Sequence, residues 1–175
     1  MVNSKLSMRI FLVGYMCSGK SKTGKALAAA MKYKFLDTDS MIEDKTGLTI
    51  QQVFNEKGED FFRKMEQEVL HTTISYNKVV VATGGGLPCF NDNMNWMNET
   101  GITVYLEASE GVLFHRLAVS KQGRPLIEKL DDISLMERIT RDLTIRAPIY
   151  SQAEIKVNAV SLNLNTLKQK IEKLK

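Results

Sequence analysis

Five short apolar runs punctuate the chain: Arg9–Val13, Phe35–Asp37, Val79–Ala82, Thr103–Glu107 and Ile155–Val157. Several are apolar without alternation, the pattern of strands buried on both faces. Between them lie segments of helical composition and spacing: Lys20–Met31, Ser40–Lys45, Ile50–Asn55, Gly58–Ser75, Asp92–Asn98, Glu110–Val119, Asp131–Ile149 and Asn163–Leu174. Within the longest, Phe62, Met65, Val69 and Leu70 recur at helical spacing and mark a core-facing stripe. Thr49 is placed to cap a helix start, Gly47 to end a helix, and Pro148 to help stop the helix that carries Arg146. Strands that alternate with helices predict an α/β fold, a parallel sheet covered by helices on both sides. Ligands of such sheets collect at the C-terminal ends of the strands. No repeat, low-complexity tract or linker interrupts the pattern, so residues 1–175 are expected to form one domain.

Composition narrows the function classes. Hydrophobic residues make up 43% and charged residues 25% of the 175, ordinary for a globular protein. The net charge of +4 is mild, and Lys168, Lys170, Lys173 and Lys175 on the last helix supply much of it as a solvated face. Basic and aromatic residues are not interleaved, which argues against nucleic acid as a partner. No apolar run approaches the ~20 residues that span a bilayer, so no membrane partner is expected. Met1 to Met8 is short and polar, unlike a signal or transit peptide. Two cysteines, Cys17 and Cys89, make neither a disulfide framework nor a metal site, and a reduced, cytoplasmic setting follows.

The chemistry is concentrated at the ends of the predicted strands. Gly14-Tyr15-Met16-Cys17-Ser18-Gly19-Lys20-Ser21 fits G-x-x-x-x-G-K-[ST] between a strand and a helix, the context this phosphate-binding pattern requires. Such a loop turns backbone N–H groups toward phosphate oxygens, and the helix N-terminus adds partial positive charge. Lys20 would reach the β- and γ-phosphates, and the Ser21 hydroxyl would hold Mg²⁺. Asp37-Thr38-Asp39 follows the second strand, where extended backbone would put both carboxylates on one side. One would hold the Mg²⁺ shell and the other take a proton from an attacking hydroxyl. The structural alternative is an Asx turn with Asp39 or Ser40 capping the next helix.

Four further segments are candidates for holding anions. Gly84-Gly85-Gly86 after the third strand permits close approach of a ligand to the backbone. Arg63 opposes the helix dipole in its early turns, which a buried anion would explain; an ion pair with Glu59 or Glu66 is the plainer reading. Lys121-Gln122-Gly123-Arg124-Pro125-Leu126 reads as a flap whose Arg124 could close over a γ-phosphate, or as a solvated basic turn. Arg146 either complements a helix C-terminus or binds a carboxylate bidentately.

In combination, these segments resemble the shikimate kinases. The resemblance rests on the loop, Asp37-Thr38-Asp39, Gly58-Glu59 with Phe62-Arg63, Gly84-Gly85-Gly86, Arg124-Pro125-Leu126 and Arg146-Ala147-Pro148-Ile149-Tyr150, in that order, over about Arg9 to Val157. It implies a nucleoside-monophosphate-kinase-like, three-layer αβα fold. The sheet would have five parallel strands in the order 2-3-1-4-5, with a mobile lid at about residues 120–129. It implies transfer of the γ-phosphoryl group of ATP to the 3-hydroxyl of shikimate with Mg²⁺, on the route to chorismate and the aromatic amino acids, by a cytoplasmic monomer.

The same resemblance assigns roles. Gly14, Cys17, Ser18, Gly19, Lys20, Ser21 and Lys22 would cradle the nucleotide, with Arg116 on the adenine side and Arg124 on the lid. Ser21 and Asp37 would hold the metal, Asp37 through a water. Asp39 would bind the shikimate hydroxyls and act as base. Arg63 and Arg146 would clamp the carboxylate, with the backbone of Gly85 and Gly86 facing the same substrate. Lys20 and Arg124 would stabilise the transferring phosphoryl.

Departures are visible as well. Cys17 stands where the family usually has glycine, and a thiol beside phosphate and a helix N-terminus predicts alkylation that ATP blocks. Lys22 replaces the usual Ser or Thr, and Asn158-Ala159-Val160 carries little adenine-loop signal. Rival readings are a gluconate kinase of the same fold, which also binds a hydroxylated acid, and a non-catalytic nucleotide-binding module. A GTPase is disfavoured, because Asp44-Lys45-Thr46-Gly47 lies at a helix end and Asn77-Lys78-Val79-Val80 lacks a guanine-reading aspartate.

Overall fold

The first apolar run becomes the centre of the sheet. In the computed structural model, which describes residues 8–120 and 130–174, strand β1 (Arg9–Val13) is buried along its whole length. It pairs in parallel with β3 (Val79–Ala82) on one side and β4 (Ile102–Glu107) on the other, so that Leu12 faces both Ala82 and Val104. Outside these lie β2 (Lys34–Asp37) and β5 (Ile155–Asn158). The five strands run in the order β2-β3-β1-β4-β5, as the family resemblance implies.

Alternation inside a doubly buried strand divides the core into two layers. Ile10 and Leu12 point to the side covered by α1 (Lys20–Met31) and α7 (Leu164–Glu172), against Leu27 and Ile171. Phe11 and Val13 point the other way, toward α3 (Ile50–Thr72), α4 (Asn93–Thr100), α5 (Glu110–Val119) and α6 (Asp132–Tyr150). Each such fully buried side chain contributes about 1.5–3 kcal/mol, so the strand pattern alone commits the chain to two covered faces. A smaller cluster joins α2 (Thr38–Thr46) to α3 through Ile42, Val53, Phe62, Met65 and Val69. No helix among the described residues is long and apolar enough to cross a membrane.

Several boundaries differ from the expected ones, each for a local reason. Helix α2 begins at Thr38, because Asp37 at the end of β2 caps it by accepting the Asp39 N–H at 3.1 Å. Asp39 therefore sits in the first turn of a helix, not on extended backbone, and neither Asp39 nor Ser40 is the cap. The two helices expected around residues 50–75 are both present and run on into each other as α3, broken at Gly58, whose φ of 82° and ψ of 173° are non-helical and are adopted readily only by glycine. Its start is the expected Thr49 cap, reinforced by Gln52 as a capping box. Gly47 closes α2 with a φ of 69°. Pro148 does not stop α6, which continues to Tyr150. The missing N–H costs one bond to the carbonyl four residues back, and the last turn is carried instead by Ser151 N–H to Ala147 O at 2.9 Å.

Candidate active site

The loop between β1 and α1 closes around its own lysine. Lys20 Nζ donates to the carbonyls of Gly14 and Tyr15, both at 2.7 Å, and the side chain is buried. From α5, Arg116 Nη1 donates to Cys17 O at 3.0 Å and to Ser18 O at 3.1 Å, which puts its guanidinium against the outer edge of the loop. Cys17 has a φ of 60°, the left-handed region that L side chains enter at a cost of about 1–2 kcal/mol. That geometry accounts for the glycine usual at this position in the family it resembles. The Cys17 thiol lies 3.5 Å from the Ser120 hydroxyl at the end of α5. A cavity of about 250 Å³ opens here, lined by Gly19, Ser21, Lys22 and Asp37 among others.

Ser21 and Asp37 meet directly, the Ser21 hydroxyl donating to Asp37 Oδ2 at 2.7 Å. A hydroxyl and a carboxylate side by side are hard oxygen donors of the type Mg²⁺ takes, and the ion ordinarily completes its shell with water and phosphate. No cluster of three or more His, Cys, Asp or Glu residues able to hold a metal occurs among the described residues, which is compatible with that partial shell.

Asp39 stands where this cradle meets a second cavity. Its carboxylate is buried, and Oδ1 has no hydrogen-bond partner. Burial, then the neighbouring Asp37 charge, pushes its pKa up to about 6 against the opposing pull of Lys20. Gly84 is what lets a second carboxylate come close, since a Cβ there would stand 2.8 Å from Asp39 Oδ1 and 2.9 Å from Glu66 Oε1. The glycine turn is not a loose loop. Gly84 N–H donates to Thr38 Oγ1 at 2.8 Å, and the Tyr150 hydroxyl donates to Gly85 O at 2.6 Å.

The second cavity, of about 480 Å³, is lined by Asp39, Arg63, Gly85, Gly86, Phe62 and Arg146 among others. Arg63 is pinned from two sides. Nη1 donates to Glu66 Oε2 at 2.6 Å and Nη2 to Glu59 Oε1 at 2.8 Å, while the Phe90 ring packs 4.0 Å from its Cζ. Both ion pairs expected from the sequence are thus present, together with the placement at a cavity. Glu66 is buried, which pushes its pKa up to about 7 although Arg63 pulls it down. Arg146 reaches the same cavity from α6, with Nη2 3.5 Å from Asp142 Oδ2. The two cavities share Met16, Asp39 and Gly85.

The fold therefore brings together Lys20, Ser21, Asp37, Asp39, Arg63, Gly85, Gly86 and Arg146, and sets Arg116 against the back of the loop. Arg124 and the lid expected at about residues 120–129 lie outside the described residues, Ser120 excepted. Sequence reasoning missed the anchoring roles of Tyr15, Thr38, Asp142 and Tyr150. Glu59 and Glu66, one helical turn either side of Arg63, carry a usable signal, but spacing alone marks them as surface partners.

A phosphate loop that opens through one shared carboxylate into an arginine-lined cavity defines a P-loop kinase for a small anionic metabolite. The model of the family described as Shikimate kinase matches residues 16–175. A shikimate kinase from Phocaeicola vulgatus is 49% identical over 146 residues, covering 83% of this chain and 83% of that protein. The crystal structure of shikimate kinase from Bacteroides thetaiotaomicron is similar with a TM-score of 0.86 at 42% identity, covering 95% of this chain and 97% of that one. That of shikimate kinase from Acinetobacter baumannii in complex with shikimate gives a TM-score of 0.85 at 33% identity, over 97% and 93% of the two chains. The chain belongs to the shikimate kinase family.

Proposed function

We propose that this enzyme transfers the γ-phosphoryl group of ATP to the 3-hydroxyl of shikimate, with the triphosphate in the loop and the acid in the larger cavity. The observation that carries this reading is the position of Asp39. It is common to both cavities, and it presents a buried carboxylate oxygen without a hydrogen-bond partner. Support for the acid comes from the A. baumannii relative solved with shikimate and from two arginines on one cavity.

In this reading Arg63 and Arg146 take the carboxylate of shikimate and fix its ring, with the backbone of Gly85 and Gly86 against it. Asp39 orients the 3-hydroxyl and accepts its proton as the oxygen attacks the γ-phosphorus. Lys20 exchanges its loop carbonyls for phosphate oxygens and neutralises the charge of the transferring group. Ser21 and Asp37 are the residues that would hold Mg²⁺. When bound, the ion neutralises and orients the triphosphate. Gly14, Cys17, Ser18, Gly19 and Lys22 line the phosphates, Arg116 stands at the adenine side, and Arg124 is assigned to the transferring phosphoryl. A shikimate kinase of this kind is monomeric and cytoplasmic.

The test is ADP release with ATP and Mg²⁺ in the presence of shikimate, gluconate or nucleoside monophosphates. Release that depends on shikimate is expected. Release with gluconate alone would favour the other metabolite kinase, and no release with any acceptor would favour a binding module.

A further inference from the structure

Behind the acid cavity one carboxylate gathers three partners. Asp142 on α6 is buried, and its Oδ2 accepts the Tyr15 hydroxyl at 2.9 Å. The same oxygen lies 3.5 Å from Arg146 Nη2 and 3.6 Å from Arg138 Nε. The two arginines stand one turn before and one turn after Asp142, so helix geometry alone accounts for that column. Tyr15 is different, because it comes from the phosphate loop. Its ring lies under Arg146, with the guanidinium carbon 5.7 Å from the ring centroid, and its carbonyl accepts Lys20 Nζ at 2.7 Å. Burial, then the Asp142 charge, pushes the phenol pKa up, which keeps Tyr15 the donor. An exposed pair spaced i,i+4 would be worth little, but these side chains are only 15% and 11% exposed.

We propose that Asp142 is a positioning residue, which holds one edge of the Arg146 guanidinium against the Tyr15 ring and leaves the other edge for the substrate carboxylate. The proposal rests on the assignment of Arg146 as a carboxylate ligand. Tyr150 also faces this guanidinium, and a five-donor planar fork has enough donors for these partners and the acid, while holding it in place lowers the entropy lost when the acid binds. Through Tyr15, the same carboxylate ties the acid site to the backbone that surrounds Lys20.

Asp142→Asn keeps the shape and removes the charge. The expected result is a KM for shikimate raised about ten-fold, with kcat and the KM for ATP within about two-fold of the parent. In an Arg146→Ala background the same change should add no further rise, because the route to the carboxylate is already cut. An unchanged KM for shikimate in a cooperatively melting Asp142→Asn protein overturns the proposal, as does a full rise in the Arg146→Ala background. If Asp142→Asn does not fold, Tyr15→Phe removes a single hydroxyl and is expected to raise that KM about three-fold; no change there also overturns it. A parent protein without shikimate-dependent ADP release would instead sink the functional reading, so the two failures are separable.

Discussion

The two halves of the site are built on opposite plans. The phosphate loop is a run of consecutive residues, Gly14 to Ser21, a pattern that offers mainly backbone N–H groups and a helix end to an anion. The acid cavity is assembled from side chains on α2, α3 and α6 and from the turn after β3, brought together only by the fold. In the cradle, rigidity comes from main-chain geometry. In the cavity, it comes from carboxylates behind arginines: Glu59 and Glu66 behind Arg63, and Asp142 behind Arg146. A site made of backbone tolerates many side chains, whereas a site made of buried charges depends on each partner being kept.

The largest effect that can break this comparison falls on the shared residue. Asp39→Asn is expected to lower kcat by about 10²–10⁴ while the KM for ATP stays near that of the parent; near-normal turnover would remove Asp39 as the base. Because its carboxyl is pushed up to about 6 and the ionised form is the active one, kcat/KM for shikimate should climb with pH through about 6 and then level. Stability has the opposite sign. A pKa raised from 3.8 means the folded protein binds this proton more tightly than the unfolded chain does. That contribution is present below about 4 and is lost as pH rises through about 6. At pH 8, Asp39→Asn should therefore melt above the parent, and a lower melting temperature would contradict burial as the cause of the shift.

Next in size is Arg63→Ala, which should raise the KM for shikimate at least about ten-fold and leave ATP nearly untouched, since it removes charge-assisted bonds from one cavity only. A change confined to ATP would move Arg63 out of the carboxylate clamp. The smallest test uses the two thiols, Cys17 on the phosphate loop and Cys89 in the turn that follows the glycines. Cys89 is half-buried and its thiol is pushed up to about 11, chiefly by burial, so it should resist alkylation near pH 8. Cys17 should react and be protected by ATP with Mg²⁺. Equal labelling of both, read by mass spectrometry, would erase the distinction between the two sites.

The same contrast explains what the sequence made legible. The strands, the loop and the Thr49 and Gly47 caps depend on neighbours within a few residues, and they stand where the pattern puts them. The order of the strands came from resemblance, because no local pattern encodes which strands pair. Local reasoning failed where a distant or competing contact decided the outcome. Asp37 serves both β2 and the cap of α2, and Pro148 is carried by the turn beyond it. In the acid cavity, Arg63 and Arg146 could be named only with a plainer role standing beside each. The Glu59 and Glu66 supports of Arg63 are legible from helical spacing, whereas the Tyr15–Asp142 link, 127 residues apart in the chain, has no signal in the sequence.

Lys20 gives the loop a threshold as well as a charge. Its ammonium already donates to two carbonyls of the protein, at 2.7 Å each, so in the proposed reading an anion that takes the lysine fully must replace both bonds. A small dianion that touches the loop at one point recovers little of that loss. In that reading a triphosphate that engages the whole arc recovers it, so the way the lysine rests would favour a triphosphate over inorganic phosphate.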